Sequence, residues 1–454
     1  MERRNNMILK KISVKNFKCF SDCSLEFSKL NVFTGANSSG KSSILDAILT
    51  TAQSHQTFPY QLSPNGKYVV MGDYYEFVRN HDLTKPIEIS ATFQDDNKFT
   101  TFNTIWTRDE STNMPTIGSL EAKSDFIHLS ISKNHNYKVH IHFNEEAFKK
   151  SDSYKNAKLL TEFLNQITHG EINKNLNKRL GNIDIKIFNN DIDFQIKDLD
   201  DISGVLTINK QQLVEYALVP ILRYIQNFKS RFNYISSFRV KPERTYTQRS
   251  QSQVVAPNGE NTIDQIFRWK AIKSPKFNQL LKELRSLNLM NTLNINHFRG
   301  GRYEIRVRTK IHSAWASLVD VGFGISQFLP VIVSDLQLPK RSTLMIDQPE
   351  IHLHPSAQSQ LADYFIRQIK DNDKNYFIET HSEYLLNRLR AAIVKGKLNP
   401  SNIKVFYFEN NGDEIIISKI RFTKNGRILG APKGFFDTYM IDVMDIAIGA
   451  ASNK

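Results

Sequence analysis

The sequence predicts an α/β fold built on a mainly parallel sheet, and three observations point to it. A glycine-bearing loop, Gly35–Ser42, lies between a short buried run at Leu30–Thr34 and a helix from Lys41 to about Thr51. From Gly322 onward the segments alternate helix, strand, helix, strand. An apolar strand, Thr343–Asp347, ends in a carboxylate. Strands alternating with helices must lie side by side and parallel, with the helices covering the faces.

Composition bounds the rest. The 454 residues are 40% hydrophobic and 23% charged, a globular balance with enough chain for a large core. No stretch reaches the roughly 18 unbroken apolar residues of a membrane helix. The N-terminus is basic but lacks the apolar core of a signal peptide, so a cytoplasmic location is expected. The two cysteines, Cys19 and Cys23, lie too close together to staple a domain of this size and read as ordinary thiols. The net charge of +14 attracts polyanions, nucleic acid first among them. A lysine-favouring codon usage would give the same excess.

Along the chain, residues 7–34 read as strands, with Ile8, Ile12 and Val14 alternating with polar neighbours. Residues 66–144 carry several strand-like segments, Pro86–Phe93 and Tyr137–Phe143 among them. Glu145–Gln166 and Lys210–Phe228 look helical around an Asn/Asp/Lys/Ile-rich stretch with one weak hairpin. Tyr234–Val240 and Tyr303–Thr309 read as strands, residues 261–292 and Ile325–Leu336 as helical, and Tyr376–Ile378 as a short strand. The helix Pro355–Lys370 opens on proline and lines up Ala357, Leu361, Phe365 and Ile369 on one face. The expected organisation is an N-terminal lobe at 1–144, a mostly helical insertion at 145–235, a C-terminal lobe at 236–410 and a short tail at 411–454. No repeat or heptad run suggests a coiled-coil arm.

Gly35–Ser42 fits G-x-x-x-x-G-K-S/T at every fixed position. The glycines let backbone N–H groups turn inward around a phosphate, and the helix that follows adds its positive end. Lys41 is placed for the β- and γ-phosphates and Ser42 for magnesium, which predicts a bound ATP or GTP. Asp347, at the tip of the second strand, is placed to hold the same magnesium. Gly322–Ser326 opens a helix just before that strand. As a second anion site it would act on the nucleotide of another subunit. His352 and His354 alternate like metal ligands but lack an evident third, which favours a structural or subunit-contact role. His381, after the strand at 376–378, is placed to hydrogen-bond the γ-phosphate or to cap the next helix beside Ser382.

These segments resemble the ATP-binding-cassette heads of the RecF, SMC and overcoming-lysogenization-defect (OLD) proteins. Residues 8–45 resemble the N-terminal lobe of such heads and 320–332 their signature segment. Residues 344–358 resemble the acidic strand and D-loop of OLD-like ATPases, and 379–386 their switch-histidine loop. Residues 425–437 resemble a short tail found on one subgroup. The resemblance implies a P-loop ABC-type ATPase head, α/β, with a mixed sheet, an N-terminal antiparallel β lobe and a mostly helical insertion. It implies that Asn37, Ser38, Gly40, Lys41, Ser42 and Ser43 bind ATP and that Gly324 and Ser326 reach the partner's ATP. Magnesium falls to Ser42 and Asp347, and Gln53 is a loose match to the Q-loop glutamine. Glu350 or Gln348 deals with the attacking water, and His381 senses the γ-phosphate. Gln348 replaces the glutamate usual in this position and cannot take a proton at neutral pH, so turnover is expected to be slow or to use Glu350.

The implied assembly is a homodimer or higher homo-oligomer acting in bacterial anti-phage defence, with a separate nuclease or toxin chain as effector. Fewer than 80 residues follow His381, too few for the Toprim nuclease domain of OLD proteins. DNA is a further candidate partner, and a membrane is not. Residues 228–249 and 297–308 mix basic and aromatic side chains, including Arg239, Arg244, Arg299, Arg302, Arg306 and Arg308. They suit phosphate contact and stacking; equally they suit solvated strands, and Arg239 and Arg244 also suit a place near the nucleotide.

Overall fold

The computed structural model describes residues 7–54, 61–95, 98–125, 127–133, 136–144, 186–188, 191–196, 228, 230–248, 254–412, 414–432 and 435. The chain divides into two compact units, residues 1–26 with 42–231, and residues 27–41 with 232–454.

The first unit is organised on a nine-stranded antiparallel sheet. It comprises β1 (Met7–Phe17), β2 (Phe20–Glu26), β4 (Ile87–Asp95), β5 (Lys98–Arg108), β6 (Pro115–Lys123), β7 (Ile127–Lys133), β8 (Tyr137–Phe143), β9 (Lys186–Phe188) and β10 (Asp191–Ile196). Their order is β2-β1-β4-β5-β6-β7-β8-β10-β9. The two-residue period of a strand turns Ile87, Ile89, Ala91 and Phe93 inward on β4, and Leu129 and Ile131 inward on β7. Trp106 is fully buried, its indole N–H donating to Thr104 Oγ1 at 2.8 Å. Helix α1 (Lys41–Gln53) buries Ile44, Leu45, Ile48 and Leu49. The β9–β10 hairpin is the one expected within 145–235, and it extends the sheet beyond β8. The helices expected at 145–166 and 210–228 lie outside the described residues, Phe228 excepted.

The second unit holds a seven-stranded mixed sheet of β11 (Phe232–Ile235), β16 (Thr343–Asp347), β17 (Asn375–Glu379), β3 (Leu30–Gly35), β18 (Ile403–Asn410), β19 (Ile415–Phe422) and β20 (Ile428–Leu429), in that order. From β11 to β18 every pairing is parallel, and β19 and β20 add an antiparallel edge. The parallel strands are buried on both faces, hence their continuous apolar runs. Phe27, Phe33, Phe377 and Phe406 cluster beside β3, with Phe27 edge-on to Phe377 at 4.8 Å. A smaller sheet of β12 (Tyr246–Thr247), β13 (Thr292–Phe298), β14 (Arg302–Arg308) and β15 (Ala316–Ser317) lies in the same unit.

Two sequence expectations shift here. The strand expected at Tyr234–Val240 is Phe232–Ile235, because the chain leaves the sheet to carry Arg239 to its partners. The helical stretch at 261–292 is two helices, α3 (Thr262–Ala271) and α4 (Pro275–Ser286), then β13. Lys273, at φ +52°, breaks the first helix, and Ser274 with Pro275 starts the second.

Helices α5 (Phe323–Gln337) and α6 (Pro355–Asn372), with β17, are tied by one buried carboxylate. Asp335 accepts the hydroxyls of Tyr364 at 2.6 Å and Tyr376 at 2.8 Å, and Lys374 Nζ lies 3.3 Å from Oδ1. The same ammonium donates to the carbonyls of Asp335 and Leu338 and to Ser342 Oγ. Burial pushes Lys374 below its ordinary pKa, and the charge of Asp335 opposes that fall. Asp335→Ala would strand a buried ammonium and two hydroxyls. We expect a loss of about 3–5 kcal/mol in denaturant unfolding; a loss below about 1 kcal/mol would contradict this reading.

Candidate nucleotide site

The parallel pairings put three strand tips side by side. On one side of Glu379, at the end of β17, stands Asp347 of β16; on the other, β3 runs on to Gly35. Gly35 has φ +134°, and a Cβ there would sit 2.2 Å from the Phe408 carbonyl oxygen of β18, so only glycine fits. Ser38 and Gly40 also have positive φ, at +57° and +88°. Asn410 Nδ2 donates to the Ser38 carbonyl at 3.3 Å and steadies the loop.

The loop leads straight into α1 at Lys41. Lys41 is buried, and its ammonium donates to the carbonyls of Ala36 at 2.6 Å and Gly35 at 3.1 Å. Burial lowers its pKa and the charge of Glu379 opposes that. Asn37, Ser38 and Ser42 are exposed, and Ser43 is half-buried in the first turn of α1. Gln53 has another use. Its amide donates to the Ser63 and Val69 carbonyls and accepts from the N–H groups of Tyr68 and Val69, which fastens the 63–69 loop to α1.

Asp347 Oδ2 accepts the hydroxyl of Tyr234 from β11. Arg239 lies beside it, almost wholly buried. Its Nε donates to the Ser236 carbonyl at 2.9 Å, one terminal nitrogen to the Gln327 carbonyl at 3.1 Å, and the other to the Asp347 carbonyl at 2.7 Å. Burial pushes its pKa down to about 10, against the nearby charges of Asp347, Glu350 and Tyr234, so it stays cationic at neutral pH. The next residue, Gln348, has φ +44°, a costly conformation for a side-chain-bearing residue. Its N–H donates to the Glu379 carbonyl at 2.8 Å and its carbonyl accepts from Arg239, which together hold the turn.

Past Pro349, Glu350 returns to the site. Its Oε1 accepts the His381 backbone N–H at 2.8 Å, while Oε2 is buried without a hydrogen bond. Burial raises its pKa, partly offset by the His381 N–H. The imidazole of His381 is exposed at the tip of β17, its pKa lowered by burial and by Lys41, so it is neutral at pH 7. It does not cap the following helix, α7 (Glu383–Val394); Ser382 does, accepting the Leu385 N–H at 3.1 Å.

The signature segment opens α5. Gly324 packs on the His352 carbonyl, and a Cβ there would approach that oxygen to 2.7 Å. Ser326 is buried with its hydroxyl donating back to Phe323 O at 2.9 Å, which leaves Gly322 and Phe323 as the exposed start of the helix. His354 caps α6 by accepting the Ser356 N–H, and His352 lies against Phe323. Among the described residues no group of three His, Cys, Asp or Glu side chains is placed to hold a metal alone. Arg244 is exposed and forked onto Asp320 at 2.6 and 3.0 Å.

A glycine cradle, a buried ammonium, a helix start and a neighbouring carboxylate fit a polyphosphate with magnesium, an ion held through one or two carboxylates plus phosphates. The sequence model described as "AAA ATPase domain" matches residues 7–386. The chain belongs to the AAA ATPase domain family. A second model, described as a protein of unknown function (DUF3696), matches residues 398–446, beyond the AAA ATPase domain. The search of curated proteins finds no match. The chain is similar in structure to the SMC head domain of Pyrococcus furiosus crystallised with the C-terminal domain of ScpA. Identity is 11%, with 97% of this chain and all of that one covered, at a TM-score of 0.40. It is also similar to the SMC head domain of Thermotoga maritima, at 10% identity, 90% and 98% coverage and a TM-score of 0.37. Among the described residues no helix is long and apolar enough to cross a membrane.

Arg239, Tyr234 and Glu379 join the candidate site around Asp347 and Lys41. All three lie in segments the sequence singles out, Tyr234 and Arg239 in the basic, aromatic stretch 228–249 and Glu379 at the head of 379–386, but only Arg239 suggests a place near the nucleotide.

The raised pKa of Glu350 has a defined consequence for stability. The folded state binds this proton more tightly than the unfolded chain. Its contribution is complete below the ordinary glutamate value of about 4.3 and is lost as pH rises through the raised value. Glu350→Gln should therefore raise the thermal midpoint at pH 8, and the gain should vanish by about pH 4. An unchanged or lower midpoint at pH 8 would contradict this.

Proposed function

We propose that this chain binds ATP with magnesium and hydrolyses it slowly, as one half of an OLD-like dimeric switch in the cytoplasm. The observation that carries the reading is the neighbouring set of strand tips that gathers Lys41, Asp347, Glu350 and His381. Asn37, Ser38, Gly40, Lys41, Ser42 and Ser43 hold the phosphates through loop N–H groups, the ammonium and hydroxyls. Ser42 and Asp347 would hold magnesium, which would supply neutralisation of the phosphate charge.

Glu350 takes the proton of the attacking water; burial raises its pKa above the ordinary carboxylate value, which makes it a stronger base than an exposed glutamate. Gln348 orients that water, and the neutral His381 donates to the γ-phosphate. Gly324 acts through its backbone and Ser326 through the helix start they share, toward the ATP of a second copy. Closure of two copies around ATP, reversed on hydrolysis, presents a surface to a separate nuclease or toxin effector in anti-phage defence.

A second reading is favoured by Gln348 standing in a fixed, strained turn where a carboxylate would be the base. It makes the chain an ATP-bound scaffold that holds its effector inactive with little turnover. Steady-state ATPase separates the two. The first reading expects measurable turnover that rises with pH through the raised pKa of Glu350. Glu350→Gln should lower kcat by about 100-fold or more while ATP still binds, and Lys41→Ala should abolish binding. Absence of wild-type turnover would establish the scaffold reading, and turnover indifferent to Glu350→Gln would remove Glu350 as the base.

A further inference from the structure

The small sheet of the second unit has one face in the core and one face outward. Tyr303, Ile305 and Val307 of β14 are buried, so Arg302, Glu304, Arg306 and Arg308 occupy the other face. Across the register, Arg302 lies opposite Phe298, Arg306 opposite Asn294 and Arg308 opposite Thr292. Arg299, Gly300 and Gly301 form the exposed tip, with φ +75° and +69° at the two glycines.

These arginines differ from others on the molecule. Arg244, Arg367 and Arg388 each pair with a carboxylate, Asp320, Glu283 and Asp363, at 2.6–2.7 Å. Among the described residues Arg299, Arg302, Arg306 and Arg308 have no ion-pair partner. Three are nevertheless held in place. A terminal nitrogen of Arg306 donates to the Trp315 carbonyl at 2.8 Å, and the Arg308 guanidinium lies over the Trp315 ring at 4.8 Å. The Nε atoms of both are buried without a hydrogen bond. Arg302 is tied to Thr245 Oγ1. Fixed guanidinium groups that meet no carboxylate are built for an anion from outside.

The row runs straight along β14, with Arg302 and Arg306 about 13 Å apart and Arg306 and Arg308 about 7 Å apart at the strand rise. The ring of Phe298, exposed opposite Arg302, offers a face on which a base can stack only when that base is unpaired, which favours a single strand over a duplex. We propose that the outer face of this sheet binds single-stranded nucleic acid. Arg302, Arg306 and Arg308 take phosphates, and the exposed ring of Phe298 stacks on a base. Glu304, in the middle of the row, holds the strand to the arginine positions by repelling it elsewhere.

The test is fluorescence anisotropy of labelled oligothymidylate, oligouridylate and a duplex of equal length, without ATP, across a salt series. Three phosphate contacts at about 0.7 each predict a log–log salt slope near −2 for the single strands. Arg299→Glu with Arg302→Glu should weaken single-strand binding by roughly tenfold or more and flatten the slope by about one. Arg302→Lys should keep most of the affinity, and the thermal midpoint should hold in all variants. The thymidylate and uridylate arms decide between DNA and RNA, either of which supports the proposal. Four outcomes would overturn it: no binding at low salt, affinity unchanged in the glutamate variant, tighter binding to the duplex, or equal binding to polyglutamate. Because the assay contains no nucleotide triphosphate, its failure leaves the ATP reading standing.

Discussion

One buried guanidinium organises the second unit. Arg239 reaches the carbonyls of Ser236, Gln327, Asp347 and Gln348, and so joins the exit of β11, the first turns of α5 and the tip of β16. A cation so deeply buried is costly unless its donors are met and opposite charge lies near. Carbonyl oxygens meet the donors, and Asp347 and Glu350 supply the charge. The acidic strand tip and the signature helix are therefore fixed relative to each other within one subunit. Any movement of Asp347 therefore has a direct route to α5.

The same bridge explains the local strain. Gln348 keeps a positive φ because its two backbone groups are held, the N–H by Glu379 and the carbonyl by Arg239. That turn sends the chain through Pro349 so that Glu350, rather than residue 348, brings a carboxylate to the His381 backbone. The departure from the usual glutamate and the burial of Glu350 are thus two sides of one backbone path. In the first unit the amide of Gln53, a match to the Q-loop glutamine by sequence, fastens the 63–69 loop to α1.

Much of this was legible in the sequence, for physical reasons. Gly35 must be glycine because β18 passes against it, and the buried parallel strands β3, β16 and β17 each carry a short apolar run, Val32–Phe33, Leu344–Ile346 and Tyr376–Ile378, so loop and strands stand out locally. The face of α6 at Ala357, Leu361, Phe365 and Ile369 follows from helical spacing and is buried as expected. The ties were not legible. Tyr234 and Arg239 meet Asp347 across 113 and 108 residues, and no local spacing encodes such a contact. Nor does the motif at Gly322–Ser326 reveal that the Ser326 hydroxyl donates to the Phe323 carbonyl in the first turn of α5.

On the proposed reading, Arg239 couples the acidic strand to the helix that opens at Gly322 and thereby permits turnover. Lysine keeps the charge but lacks the planar fork needed to reach the four carbonyls at once. The most direct measurement is steady-state ATPase of Arg239→Lys beside its ATP affinity and thermal midpoint. The account predicts kcat down by roughly tenfold or more, with ATP still bound through Lys41 and the protein folded. Wild-type kcat in a folded Arg239→Lys protein would contradict it.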